Sequence, residues 1–410
     1  MNKLIALNWT TNSIEECFQT IEEEIKNKNW IELLSKEGPR EIIPEPNLPK
    51  GPGFIIKGGG SSGKKYSCLH PCSNLSKSAF STREWLIKQG IDAKTCTLIN
   101  VLPINHVSGL MPWWRGKCWS AKHYWLQPCH LKDPITLEKK CSAFFKKHDS
   151  PLLTSLVPTQ LHRLLSTEAG LKWLRTFTLI WVGGAHLSKE LAHKARENNI
   201  QLAPCYGSTE TAAMIVAMTP AEFLSGRDHC GHPLNDVKLS TNKDGILKIK
   251  TPRLAIGKWN HGKIESLCDQ NGWWESGDIA EINNNDDLPT IKILGRIDTA
   301  ITCGGETIFP EILEERLLNA AISKQIPIDK LLLVPIQNTE WGHRLVAIVK
   351  LSGKENLQLN NHIKSSLEKL VENWLQAEKP IEWRHCKNLS PNDSGKWERK
   401  RWESWLKFNS

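Results

Sequence analysis

The sequence predicts an α/β protein. A large N-terminal unit of largely parallel sheets with covering helices also carries a short-strand β region, and a small C-terminal α+β unit follows. Three observations carry this. Residues 152–199 alternate strand, helix, strand, helix, as parallel sheets require, because each crossover places a helix on a sheet face. From about residue 230 to 295 the pattern changes to short alternating strands with turns. After Gly295-Arg296-Ile297-Asp298 come a helix, two strands and an amphipathic helix with an apolar face of its own. The boundary is placed between residues 296 and 297, giving units 1–296 and 297–410. A chain of 410 residues is too long for one ordinary core, which agrees with that division.

Composition narrows the function classes. Hydrophobic residues make up 40% and charged residues 24%, as in a soluble globular protein. The net charge is +9 and the pI about 8.9. That charge is compatible with nucleic acid or polyanionic small molecules, but the lysines are scattered and no basic run reads as a nucleic-acid arm, so a lysine-rich composition is sufficient explanation. None of the twelve cysteines forms a C-x-x-C pair or one half of a matched zinc site, so reduced thiols and a cytoplasmic location are expected. No signal peptide and no apolar run of about 18 residues is read, so no membrane span is expected.

Taken in order, residues 1 to about 45 read as helical, with Ser13-x-x-Glu16 as a capping box and Ile14, Cys17, Phe18 and Ile21 at helical spacing. Pro44, Pro46, Pro49 and Pro52 then break regular structure. Phe54-Ile55-Ile56 is a buried-strand signal, followed by Lys57-Gly58-Gly59-Gly60-Ser61-Ser62-Gly63-Lys64-Lys65. A glycine- and serine-rich loop after a strand is suited to wrap phosphate oxygens, and a flexible surface loop is the bland alternative. Gly58-x4-Gly63-Lys64 nearly meets the P-loop pattern but puts Lys65 where Ser or Thr would hold Mg²⁺. Ser81-x-x-Glu84 reads as the start of a helix, and 97–102 as a strand. His106, Ser108 and Arg115 then lie near Trp113 and Trp114, a set suited to an aromatic carboxylate.

Strand 152–157, a helix from Pro158, strand 177–182 and a helix from Ser188 follow. The second strand ends in Gly183-Gly184-Ala185. Next comes Cys205-Tyr206-Gly207-Ser208-Thr209-Glu210-Thr211. Four hydroxyls, a glycine and a carboxylate within six positions suit a phosphate and a hard cation, and a plain solvated turn is the alternative. Ligands of open parallel sheets bind beyond the carboxyl ends of the strands, so Gly183–Ala185 and Tyr206–Glu210 are expected to line one crevice. Asp278, in Ser276-Gly277-Asp278, suits a diol such as ribose or merely closes a turn. The C-terminal unit opens on Ile301-Thr302-Cys303-Gly304-Gly305-Glu306. Near its end Ser394-Gly395-Lys396 presents a lysine on a polar turn.

Five collinear stretches, GGGSSGKK, WVGGAHLSKEL, YGSTE, SGDIA with GRIDTAITCGGETIFPEILEE, and SGKWERK, resemble those of the adenylate-forming superfamily of acyl-CoA synthetases, luciferases and peptide-synthetase adenylation domains. Within it, LPINHVSGLMPWWRG and SLVPTQLHRLL most resemble o-succinylbenzoate–CoA ligases of menaquinone and phylloquinone biosynthesis. The resemblance implies ligation of o-succinylbenzoate to coenzyme A through an acyl-adenylate, with ATP and Mg²⁺ and release of AMP and pyrophosphate. It implies a mobile C-terminal lid.

Site roles follow by resemblance. Ser61, Ser62 and Gly63 cover the β- and γ-phosphates. Gly183, Gly184, Ala185, Tyr206 and Gly207 belong to the nucleotide site, and Thr209 contacts the α-phosphate. Glu210 holds Mg²⁺, and Asp278 with Arg296 binds the ribose. His106, Ser108, Arg115, Gly184 and Ser208 face the acyl substrate. Asp298 is the hinge, Gly304, Gly305 and Glu306 serve the CoA step, and Lys396 bridges the reacting carboxylate and α-phosphate. The chain departs from the family pattern at Gly58, where Thr or Ser is usual, and at Lys65-Tyr66, where Pro-Lys is frequent. A lysine at 64 or 65 supplies charge from a neighbouring position. A CoA ligase for another aryl or acyl carboxylate, a P-loop ATPase or kinase, and a non-catalytic nucleotide-binding module are the alternatives. The expected partners are a small carboxylate, ATP and CoA, with no nucleic acid and no membrane, and a homo-oligomer is compatible with the sequence.

Overall fold

The computed structural model describes residues 3–9, 14–34, 41–44, 47–58, 66–145, 150–260, 263–284, 288–353, 359–391 and 397–408. Ser13 lies outside them.

The central sheet has five parallel strands in the order Leu202–Ser208, Leu179–Val182, Leu152–Leu156, Thr97–Asn100 and Lys122–Trp125. Two antiparallel strands, Ala213–Ala217 and His232–Pro233, extend one edge. Its inner strands are apolar on both faces, as sheets covered on both sides must be. In Leu179–Val182 all four side chains are at most 2% exposed, each burial contributing about 1.5–3 kcal/mol. Leu179 and Trp181 pack on one face with Trp85 and Leu86, and Ile180 and Val182 on the other with Leu164 and Trp173.

A second seven-stranded sheet contains Lys3–Asn8, Trp30–Leu34 and Gly53–Lys57 as parallel neighbours. Helices Cys72–Lys88 and Val107–Trp119 lie between it and the central sheet: Leu75 and Trp114 pack against Phe54, while Trp85 joins the other core. A four-stranded antiparallel sheet includes Ile246–Lys250, Trp274–Asn283 and Thr290–Arg296, which is the short-strand region.

Two expectations are corrected. The start of the chain is not wholly helical: Lys3–Asn8 and Trp30–Leu34 are strands, and among the described residues there only Ile14–Lys26 is helix. Leu4-Ile5-Ala6-Leu7 are all buried, with Leu4 and Ile5 in different cores. A continuous apolar run serves two faces of a strand, whereas a surface helix needs polar gaps. Ser81 does not open a helix. It lies inside Cys72–Lys88, and its hydroxyl donates to Asp236 Oδ1 at 2.6 Å. That distant partner replaces the local cap.

The last sheet joins Ile301–Cys303, Glu306–Ile308, Ile328–Asn338, Gly342–Leu351 and Pro380–His385. Alternate residues serve opposite faces. Leu331, Leu333, Leu345 and Ala347 pack with helices Pro310–Ser323 and Asn361–Leu370, and Leu332, Val334, Val346 and Ile348 with Arg399–Phe408. A buried charge cluster ties these layers. Arg399 pairs with Glu314 (2.8 Å) and Glu311 (3.1 Å) and donates to Leu333 O at 2.7 Å. Removing one member of such a cluster costs about 3–5 kcal/mol, because the remaining charge is stranded.

Candidate active site

Strand Leu202–Ser208 brings Tyr206, Gly207 and Ser208 to the carboxyl end of the central sheet, beside the end of Leu179–Val182. Gly183 follows there with no room for a side chain, since a Cβ would lie 2.9 Å from Cys205 Sγ. The two strand-end motifs thus meet.

The turn after Ser208 is strained and heavily braced. Ala212 and Ala213 have φ of 51° and 82°, a region costing a non-glycine residue roughly 1–2 kcal/mol. Thr211 Oγ1 accepts from Ser208 N at 2.9 Å and donates to Ala213 O at 2.6 Å. Ser78 Oγ donates to Ala212 O at 2.6 Å and is itself held by Arg253, whose guanidinium pairs with Asp236 at 3.2 Å. His70 Nε2 lies 2.7 Å from Thr209 O. The carbonyl can only accept, so Nε2 carries the proton. Backbone strain that the surroundings over-determine is concentrated at functional sites in proteins generally.

Glu210 is 6% exposed. Among the described residues it forms no ion pair, and its Oε1 accepts the Tyr66 hydroxyl. A buried carboxylate facing only a hydroxyl has capacity left for a hard cation. Ser208 Oγ is buried without a partner among the described residues.

Asp278 is opposite Arg296 in the antiparallel ladder. Its Oδ2 accepts from the Tyr206 hydroxyl at 2.5 Å and its Oδ1 from Arg296 at 3.0 Å. Arg296 also grips Asp298 through Nε (2.9 Å) and Nη2 (3.2 Å). Burial raises the Asp278 carboxyl, and Tyr206 and Arg296 pull it back. Each carboxylate oxygen keeps a lone pair for a further hydroxyl. Gly304 and Gly305, at φ 59° and 89°, make the two-residue turn between Ile301–Cys303 and Glu306–Ile308, the conformation a tight hairpin demands. Glu306 is exposed.

His106, Ser108 and Arg115 are not clustered. His106 and Ser108 are exposed at the start of helix Val107–Trp119. Arg115 is two turns further along and 3% exposed. Trp113 stacks on Phe18 (4.9 Å) and Trp114 meets Phe54 edge-on, so both indoles are core residues. The Arg115 guanidinium lies 5.1 Å from the Trp181 ring and donates to Thr82 Oγ1 at 3.3 Å. No acidic side chain pairs with it among the described residues, and its Nε is buried without a partner. Burial first, then the nearby Arg253, push it down to about 10. Cys205, on the strand leading to the site, is close enough to affect its charge. Ser61, Ser62, Gly63, Lys64, Lys65 and Lys396 lie outside the described residues.

Burial holds His70 down to about 4, and His123 likewise. Both are neutral when folded, whereas an unfolded histidine titrates near 6.5. The unfolded chain therefore binds more protons between pH 6.5 and 4, and stability falls as pH drops through that window. The loss for His70 is roughly 3 kcal/mol. Melting temperatures from pH 7.5 to 4.5 should decline below 6.5, and His123→Phe should flatten the slope. A flat wild-type profile would refute this.

A family model described as AMP-binding enzyme matches residues 9–245. The chain belongs to the AMP-binding enzyme family. This family member resembles 2-succinylbenzoate–CoA ligase of Escherichia coli (strain K12), at 28% identity over 284 residues, covering 69% of the chain and 54% of the relative. It also resembles the Geobacillus kaustophilus enzyme of the same name, at 25% identity, covering 64% and 52%. The AMP-binding chain spans about half the length of the curated relatives it matches. Its fold matches Escherichia coli MenE with bound OSB-AMS, at TM-score 0.66 and 22% identity, over 96% of this chain and 80% of that one. It likewise matches Bacillus subtilis MenE in complex with the acyl-adenylate intermediate OSB-AMP, at TM-score 0.69 and 20% identity, over 93% and 76%. The α/β fold expected from the sequence stands. No helix among the described residues is long and apolar enough to cross a membrane.

Sequence reasoning about this AMP-binding enzyme missed Tyr66, His70 and Arg253. One signal was present: the chain has only three tyrosines, and two of them donate to Glu210 and Asp278.

Proposed function

We propose that this AMP-binding enzyme ligates o-succinylbenzoate to coenzyme A through an acyl-adenylate, releasing AMP and pyrophosphate, as a step toward menaquinone or phylloquinone. The observation that carries the substrate choice is Arg115, a buried guanidinium with no acidic partner among the described residues. An unpaired buried charge costs several kcal/mol, which a substrate carboxylate would offset. o-Succinylbenzoate has two carboxylates, one to be activated and one to be held. The names of the relatives support the same choice.

In this reading, Asp278 receives the ribose hydroxyls with the lone pairs left by Tyr206 and Arg296. Thr209 donates to the α-phosphate, and Ser61, Ser62 and Gly63 enclose the outer phosphates. Glu210 would hold Mg²⁺, which when bound supplies charge neutralisation for the departing pyrophosphate. The attacking carboxylate and the α-phosphate are both anions, and Lys396 places a cation between them. The oxygen–phosphorus bond to the acyl group forms as the bond to pyrophosphate breaks. The unit 297–410 then turns about Asp298, withdrawing Lys396 and bringing in Gly304–Glu306. The CoA thiolate adds to the acyl carbonyl and AMP departs. The twelve free cysteines suit a reducing, cytoplasmic setting.

A CoA ligase for another aryl or acyl carboxylate is the second reading, favoured by Arg115's lying apart from His106 and Ser108. AMP release, with and without CoA, over a panel of o-succinylbenzoate, benzoate and fatty acids separates the two. A preference of at least tenfold for o-succinylbenzoate is expected. Equal rates across the panel would remove that substrate.

A further inference from the structure

Two of the positions that depart from the family pattern, Gly58 and Tyr66, are joined in the structure. They flank the glycine-serine loop. Gly58 N donates to Tyr66 O at 2.8 Å, closing the neck of the loop. The Tyr66 ring lies against Gly58 so closely that a Cβ there would sit 3.0 Å from Tyr66 Cε2. Gly58 has no positive φ, so space rather than conformation requires glycine. The ring also packs against the core that contains Cys68, and Lys258 Nζ lies 4.9 Å from its centroid. Held in this way, the Tyr66 hydroxyl donates to Glu210 Oε1.

We propose that Tyr66 is a positioning residue for metal-bound nucleotide: it fixes one oxygen of Glu210 and so leaves the other aimed at a divalent cation. The proposal rests on Glu210 as the metal-holding residue. A neutral hydroxyl suits this task better than the lysine frequent at this place, because an ammonium would compete with the cation for the carboxylate. Gly58 is the complementary change, since a Thr or Ser side chain would press on the ring. The Tyr66 carbonyl pairs with Gly58 N while its hydroxyl holds Glu210, so one residue joins the end of strand Gly53–Lys57 to the Tyr206–Glu210 turn. Partners that orient a metal-binding carboxylate typically contribute 10–100-fold in affinity.

The test is calorimetric titration with ATP plus Mn²⁺, ATP plus EDTA, and AMP, on wild type, Tyr66→Phe, Gly58→Thr and the double variant. Tyr66→Phe keeps the ring and is expected to weaken Mn²⁺-dependent ATP binding about tenfold while AMP binding stays within about twofold. Gly58→Thr is expected to do the same by crowding the ring. The double variant should be no weaker than the weaker single, because both act through one hydroxyl. Unchanged Mn²⁺·ATP affinity in Tyr66→Phe overturns the proposal. Equal weakening of AMP and Mn²⁺·ATP also overturns it, reducing Tyr66 to a structural ring. If Mn²⁺ does not strengthen ATP binding in wild type, Glu210 as metal holder fails and the proposal fails with it.

Discussion

Arg115→Met should melt at a higher temperature than wild type and yet lose about 100-fold in kcat/KM for o-succinylbenzoate. Both effects come from the same atoms. Methionine preserves much of the side chain's volume against Trp181 but removes a buried charge that has no acidic partner among the described residues. Replacing buried charge by apolar volume is often stabilising by about 1–4 kcal/mol. The cation–π contact with Trp181 is lost, which takes back up to about 2 kcal/mol. In the proposed reaction the substituted site would no longer pair with a second carboxylate. A hydrogen bond to a charged group contributes about 1.5–3 kcal/mol, and 2.7 kcal/mol is 100-fold. The loss should fall mainly on KM, because the held carboxylate is remote from the reacting one and is bound equally in ground and transition states. Benzoate, which lacks that group, should change by less than about threefold. Thermal denaturation and a two-substrate kinetic comparison decide the matter. A lower melting temperature with unchanged selectivity would make Arg115 a structural residue.

Lys396→Ala should reduce acyl-adenylate formation by about 10³-fold while leaving thioester formation from supplied acyl-adenylate within about threefold. The first figure is the effect of removing one preorganised donor from a developing charge. The second follows because the proposed thioester half-reaction uses Gly304–Glu306 in place of Lys396. The substitution should not unfold that unit. Its local anchor is three residues on, where Arg399 is held by Glu311, Glu314 and Leu333 O. Pyrophosphate exchange measures the first half-reaction, and CoA consumption with synthetic acyl-adenylate measures the second. Equal loss in both would contradict a division of labour between Lys396 and Gly304–Glu306.

The sheet architecture was legible because its signals are local. Leu152–Leu156, Leu179–Val182 and the helix capped by Ser188 lie within a residue or two of where alternation and capping put them. The failures have local causes too. Leu4 to Leu7 was a continuous apolar run in a stretch read as helix. Pro112, Gly109 and Gly116 disguised the helix Val107–Trp119, whose periodicity is weak because ten of its residues are buried.

Within the site, Gly183 beside the Tyr206–Glu210 turn could be expected from strand order alone. Arg115 could be picked out by type but not by surroundings, since proximity in sequence to Trp113 and Trp114 suggested one pocket. Helical geometry sends neighbours to different faces. Tyr66 and Arg253 were illegible because the groups they bond are over 100 residues away, at Glu210 and Ser78. No period or motif records such a contact.

The Arg399 cluster has a mechanical meaning. It clamps the helix that follows the Gly304-Gly305 hairpin to the segment that follows Lys396. The helix and that segment are therefore held as one body. If Lys396 and the hairpin serve the two half-reactions as proposed, they would travel together, and bringing in one would itself displace the other.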